Sequence, residues 1–167
     1  MQIKKRGGKI TCLIIYVDDM IITGDDEEEI VELRKNLFHE FEMKDLGLLK
    51  YFLGIEVLRS KKGIFINQRK YILDLLAEIG MIDYSGRSKA DQQGDISEVV
   101  GKLIYLSHTR PDIAYAVGVV SQSMHAPQEA HWEAVLRIVR YLKGTAKHGL
   151  MFEKHGHMEI HGFTDAD

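Results

Sequence analysis

The sequence predicts an α+β fold: antiparallel hairpins first, helices after them, and one further hairpin at the C-terminal end. Three observations predict it. Asp18 and Asp19 stand between two apolar runs, Ile10 to Ile15 and Met20 to Thr23, the pattern of a hairpin with a charged tip. Leu49 to Leu58 has strand character, and the return strand Ile64-Phe65-Ile66 follows the turn Ser60-Lys61-Lys62-Gly63. From Asn67 to Lys143 apolar residues recur at helical spacing instead.

Met1 to Lys9 is mostly polar and basic. Ile10 to Tyr16 forms the first strand and Met20 to Thr23 its partner, with Gly24 ending the hairpin. Asp25 or Asp26 caps the next helix, with Glu27, Glu28 and Glu29 at its positive end and Ile30, Leu33, Leu37 and Phe41 on its apolar face. Leu49 to Leu58 reads as one strand, with Tyr51, Leu53, Ile55 and Val57 on one face. Asn67 caps a helix running to Ile79, which buries Tyr71, Leu75 and Ile79 and stops at Gly80.

Asp83 to Ser97 is polar and turn-rich, a linker. Ser97 caps a helix through Ser107. Pro111 opens the next, with Ala114, Val117 and Val120 or Ser121 facing inward. Pro127 opens a longer one to Lys143, stopped by Gly144, with Ala134, Val135, Ile138, Val139 and Leu142 inward. Leu150 to Glu153 and Met158 to Thr164 pair around Lys154-His155-Gly156-His157.

Size and composition exclude several classes. The 167 residues make one ordinary domain or two small ones, and 45% hydrophobic with 28% charged content is that of a soluble globular chain. The net charge of −3 gives no global signal for nucleic acid. The single Cys12 cannot form an internal disulfide, and a buried, reduced thiol in an intracellular protein, cytoplasmic or nuclear, is the simplest account. No stretch has the length of a membrane span and no secretory signal opens the chain, so no membrane partner is expected.

The Asp pair carries the chemistry. Adjacent carboxylates at a tight turn between buried strands must be solvated, paired or metal-bound. A pair of Mg²⁺ ions spanned by such carboxylates is what nucleotidyl transfer needs. Asp is also simply a common turn residue, so the motif alone is weak.

Further blocks add weight. Tyr16-Val17-Asp18-Asp19-Met20-Ile21-Ile22-Thr23-Gly24 resembles the catalytic hairpin of copia-type retrotransposon reverse transcriptases. Glu42-Met43-Lys44-Asp45-Leu46-Gly47 and Tyr51-Phe52-Leu53-Gly54-Ile55-Glu56 are similar to the segment that follows it in that family. So are Val100 to Leu106 with Thr109-Arg110-Pro111-Asp112-Ile113, and His131 to Arg137 with Arg140 to Thr145. Gly162-Phe163-Thr164-Asp165-Ala166-Asp167 resembles the first strand of the family's ribonuclease H domain.

The resemblance implies a partial palm over 1–66, a helical thumb and connection over 67–146, and the start of ribonuclease H over 147–167. It implies RNA-directed DNA synthesis on an RNA or DNA template–primer from deoxynucleoside triphosphates. Mg²⁺, with Mn²⁺ as the alternative, would sit on Asp18 and Asp19, and Asp165 would be the first carboxylate of an incomplete ribonuclease H metal site. The family's third polymerase carboxylate lies on an earlier palm strand, and no acidic residue precedes Ile10. The isolated chain is therefore expected to be inactive without the upstream palm and fingers and without the downstream ribonuclease H segment. The family also carries a longer segment near Ser85 to Ile96, by about a dozen residues.

Tyr16, Arg137, Arg140 and Lys143 are the expected nucleic-acid contacts, with Lys147 just past them. The plain alternative for the helix cations is a solvated face near a negative helix end. His125, His131, His155, His157 and His161 match no zinc spacing and come with no Cys pair. Trp132 and Tyr141 fall on opposite faces of one helix, so at least one belongs to the core. The rival reading is a non-catalytic remnant of a degenerate element that keeps a nucleic-acid- or partner-binding surface.

Overall fold

The computed structural model describes residues 1–81, 96–124 and 128–154. The chain divides into two compact units, Met1–Leu49 and Lys50–Asp167. Both are mixed α and β with antiparallel sheets, and five helices lie among the described residues.

In the first unit, β1 (Gln2–Arg6), β2 (Lys9–Tyr16) and β3 (Asp19–Gly24) form a three-stranded meander. The polar opening segment is thus a strand, which the sequence reading missed. Gly7 and Gly8, at φ 56° and 83°, make the two-residue turn that folds β1 onto β2. Gly24 pairs with Thr11 so closely that a Cβ there would lie 2.1 Å from the Ile10 carbonyl oxygen. Helix α1 (Glu27–Glu40) starts at Asp26, whose carboxylate accepts from the Glu29 N–H at 3.3 Å. Asp25 instead accepts from the Ile10 N–H at 2.6 Å. Buried Glu29 takes Lys4 Nζ at 2.6 Å, tying α1 to the edge strand. Leu13 and Thr11 are buried, whereas Ile15 is 48% exposed.

The second unit holds a four-stranded sheet of β4 (Tyr51–Phe52), β5 (Ile55–Arg59), β6 (Gly63–Asn67) and β7 (Gly149–Glu153), in that order. The single strand expected over Leu49 to Leu58 is broken by a two-residue turn at Leu53-Gly54, at φ 49° and 80°. Phe52 therefore pairs with Ile55, and Leu53 leaves the face on which the alternation had placed it. The Tyr105 hydroxyl donates to the Leu53 carbonyl and fixes this turn on the helices. Strand β7 pairs with β6; its expected partner, Met158 to Thr164, lies outside the described residues.

Helices α2 (Arg69–Glu78), α3 (Ile96–Ser107), α4 (Pro111–Ser121) and α5 (Glu129–Gly144) enclose the core. It is built from Ile72, Leu75 and Leu76 of α2, Val99, Val100, Leu103 and Leu106 of α3, Ile113, Val117 and Val120 of α4, and Val135, Ile138, Val139 and Leu142 of α5. The N-cap of α2 is Gln68, one residue later than expected; Glu56 of β5 accepts from the Lys70 N–H at 3.0 Å and serves that end. Gly80, at φ 72°, closes α2 with paired bonds from its own N–H to Ala77 and from Met81 N–H to Leu76. Ser97 sits inside the first turn of α3 and is not its cap. Pro111 occupies the first turn of α4 as expected, but Ile113 is buried where Ala114 was expected, and Ala114 is exposed. Gln128 and His131 form the capping box of α5; Pro127 and most of the expected linker lie outside the described residues. Trp132 packs against the core, and Tyr141 lies outward.

One buried charge organises this unit. Arg110, 1% exposed, sits between α3 and α4. Its Nε and Nη2 donate to Asp112 at 2.9 and 2.6 Å, and Nη1 and Nη2 donate to the carbonyl and hydroxyl of Thr145 at 3.0 and 2.8 Å. Tyr141 donates to the same Asp112 carboxylate at 2.8 Å. The Arg110 guanidinium, with Tyr141 assisting, lowers Asp112 from the ordinary 3.8 to about 2. A depressed carboxylate contributes stability that is complete above its unfolded value and lost as pH falls through its folded one.

Two outcomes follow for the second unit. Acid titration should remove about 1–2 kcal/mol of stability between about pH 4 and pH 2, after allowing for the partial exposure of Asp112. Asp112→Asn should flatten that part of the profile. Arg110→Ala should cost about 3–5 kcal/mol in chemical denaturation, because it strands a partly buried carboxylate and opens a cavity. A loss under 1 kcal/mol would refute the central role given to Arg110.

Candidate functional site

The candidate site is the tip of the β2–β3 hairpin. The ladder runs from Thr11–Gly24 to Tyr16–Asp19, leaving Val17 and Asp18 as a two-residue turn. Val17 takes φ 50°, a region that β-branched residues almost never enter. Such strain persists only where the surroundings over-determine it. Here the paired strands hold both ends of the turn. Directly opposed residues share a face, so Tyr16 and Asp19 stand side by side, and Asp18 occupies the turn.

Tyr16, Asp18 and Asp19 are all exposed, Tyr16 by 53%. The two carboxylates are therefore held by solvent, which resolves the cost of placing them at the end of an apolar hairpin. Carboxylate oxygens suit a hard cation such as Mg²⁺. The described residues, however, contain no group of three or more His, Cys, Asp or Glu side chains able to hold a metal. Asp18 and Asp19 match the donor type but not the donor number of a two-metal site.

The other expected contacts lie on α5 in the second unit. Arg137 and Arg140 are exposed. Lys143 is exposed too, but its Nζ donates to the Met81 carbonyl at 3.0 Å, beyond the end of α2. Of the histidines, His131 uses Nδ1 to accept from the Gln128 N–H at 3.0 Å, which accounts for it as a helix cap. Asp165, His125, His155, His157 and His161 lie outside the described residues. Sequence reasoning assigned no role to Arg110, Asp112 and Tyr141. The available signal was an Arg-Pro-Asp run between two apolar helices, where a charge has to be satisfied.

No helix among the described residues is long and apolar enough to cross a membrane. The family model for reverse transcriptase (RNA-dependent DNA polymerase) matches residues 1–90. The chain belongs to that family. Its relatives include copia-type polyproteins of plant transposons. The retrovirus-related Pol polyprotein from transposon RE1 of Arabidopsis thaliana is 42% identical over 98% of this chain. The Pol polyprotein from transposon TNT 1-94 of Nicotiana tabacum is 37% identical over 93%. This chain spans 12% and 13% of those two polyproteins. An uncharacterized mitochondrial protein of Arabidopsis thaliana is 38% identical over 93% of this chain, which covers 70% of it. No solved structure matches the chain.

The strain at Val17 is testable. Val17→Gly should raise the stability of the first unit by about 0.5–1 kcal/mol, because relief of the left-handed φ outweighs the added freedom of the unfolded chain. Urea unfolding followed by a probe in residues 1–49 measures it. A loss of stability would show that Val17 is unstrained.

Proposed function

We propose that this chain carries the metal-binding hairpin and the succeeding helical unit of an RNA-directed DNA polymerase from a copia-type retrotransposon, and that it does not polymerise alone. The observation that carries this reading is the pair of solvent-facing carboxylates, Asp18 and Asp19, at the tip of an antiparallel hairpin. Residues 1–66 serve as part of the palm, 67–146 as thumb and connection, and 147–167 as the start of ribonuclease H, where Asp165 is the first carboxylate.

Asp18 and Asp19 are the residues that would hold Mg²⁺, or Mn²⁺ in its place. When bound, such ions supply charge stabilisation at the transferring phosphate. Two carboxylates do not complete the site, so a third must come from an upstream segment together with the nucleotide-binding fingers. Template and primer contact Tyr16, Arg137, Arg140 and Lys143. Lys143 has donors left after its bond to Met81. An intracellular setting belongs to the same reading and suits the single unpaired Cys12.

The exposed Arg137 and Arg140 of α5 also suit a second reading, a non-catalytic remnant that binds nucleic acid or a partner. Primer extension separates the two. The 167-residue chain alone should give no template-dependent extension. Adding the upstream half, as a second polypeptide or in cis, should restore it. Asp19→Asn should then cut extension by at least about a hundredfold, corresponding to several kcal/mol of transition-state charge stabilisation. Extension by the chain alone would sink the proposal, and no extension after complementation would favour the remnant.

A further inference from the structure

One end of the second unit's sheet carries a surface that the polymerase site does not use. Arg59, Ile64 and Phe152 are direct partners in one row across β5, β6 and β7, so their side chains share a face. All three are exposed, Ile64 by 37% and Phe152 by 56%. An aromatic ring is thus presented to solvent on the strand surface, with Ile64 between it and the Arg59 guanidinium two strands away.

Cations rim this row. Lys61 and Lys62 form the turn between β5 and β6, and both are exposed. The turn is fixed: Ser60 N–H donates to the Gly63 carbonyl at 2.9 Å, and Lys62 N–H to the Ser60 hydroxyl at 3.2 Å. Lys154, also exposed, donates its backbone N–H to the Lys62 carbonyl at 3.2 Å, which brings its chain segment beside the turn. Glu153 is the acidic residue at this end of the sheet; it pairs with Gly63, one register step from the Ile64–Phe152 row, and so points to the opposite face. The result is three exposed lysines on the turn and strand end next to the row that carries the exposed Phe152, on an element held by a two-residue turn.

We propose that this face binds single-stranded nucleic acid, with Phe152 stacking on a base and Lys61, Lys62 and Lys154 taking backbone phosphates. The chemistry selects the ligand. A flat aromatic surface with adjacent cations suits unpaired bases joined by phosphates, because every base offers a π-face and the strand brings its own charge. A duplex keeps its bases stacked and would engage the cations alone. This inference does not depend on the Asp18–Asp19 reading, since its residues lie in the other unit.

Fluorescence anisotropy tests it, using the full chain and a labelled 20-nucleotide oligo(dT) at low salt, with a duplex of equal length as competitor. Wild type should bind, and affinity should fall with salt with a slope near −2, the value for about three phosphates on a single strand. The double variant Lys61→Glu with Lys62→Glu should weaken binding at least tenfold and flatten the slope. These side chains are exposed in a turn, so the fold should survive, and circular dichroism checks it. Phe152→Ala should weaken binding about tenfold with the slope unchanged, the signature of lost stacking. Phe152→Tyr should retain it.

Four outcomes overturn the proposal: no binding at low salt; equal affinity for duplex and single strand with no effect of Phe152→Ala; wild-type affinity in the Lys61/Lys62 variant; or loss of binding only on Arg137→Glu with Arg140→Glu. The last would place the nucleic acid on α5. None of these bears on primer extension by the complemented polymerase, so the two readings fail separately.

Discussion

The second unit depends on the satisfaction of Arg110. A guanidinium removed from water is costly unless its donors are met, and neutralising it by deprotonation is closed to arginine. Asp112 and Thr145 meet that demand, and each is fixed to a helix end: Asp112 in the first turn of α4, Thr145 just after α5. Satisfying one side chain therefore sets where α4 begins relative to where α5 ends. Thr109, the preceding residue, donates to the buried Gln68 carboxamide oxygen at 2.6 Å and extends the same polar path to the start of α2. The apolar core supplies the driving force for collapse but is tolerant of small shifts. The hydrogen-bonded charge is not, so it selects among packings that burial alone leaves close in energy.

The hairpin tip solves the opposite problem. There two charges stay in water, and the apolar strands behind them end where the charges begin. Backbone strain at Val17 is the local cost of a two-residue turn whose first position is not Gly or Asn. It is offset by the six-pair ladder beneath it. A site assembled this way presents its carboxylates in a fixed place without needing a metal to hold them there, which suits the proposed reading.

Much of this was legible in the sequence because the strongest signals are local. The apolar–Asp-Asp–apolar pattern located the tip to within one residue, and the helical spacing from Ala134 to Leu142 identified the buried face of α5. The failures have separate physical causes. Strand β1 reads as polar because both its faces are exposed, so alternation carries no information; Gly7-Gly8 was the only available cue. The strand expected over Leu49 to Leu58 broke because Leu53 in a left-handed turn is a conformation that its side chain disfavours and Tyr105, 52 residues away, holds. Asn67 does accept from the Arg69 N–H at 3.4 Å, but α2 also takes a tertiary contact at this end, from Glu56 to the Lys70 N–H, which propensity cannot show; Ser97 falls inside α3. The role of Arg110 is invisible until the chain brings Thr145 to it.

The net charge is a sum over two unlike units. The first 49 residues hold seven basic and eleven acidic residues, and the remainder fifteen and fourteen. A sum of −3 therefore conceals an acidic unit carrying the candidate metal-binding tip and a near-neutral unit. Electrostatic attraction at physiological salt acts over about 8 Å, so a strand of phosphates responds to local clusters rather than to the total. An acidic cluster at the tip would repel that strand unless cations intervene. Under the proposed reading, metal ions at the carboxylates and lysines elsewhere would be separate requirements of a polyanionic ligand. The uneven charge along this chain is compatible with that reading without a basic excess overall.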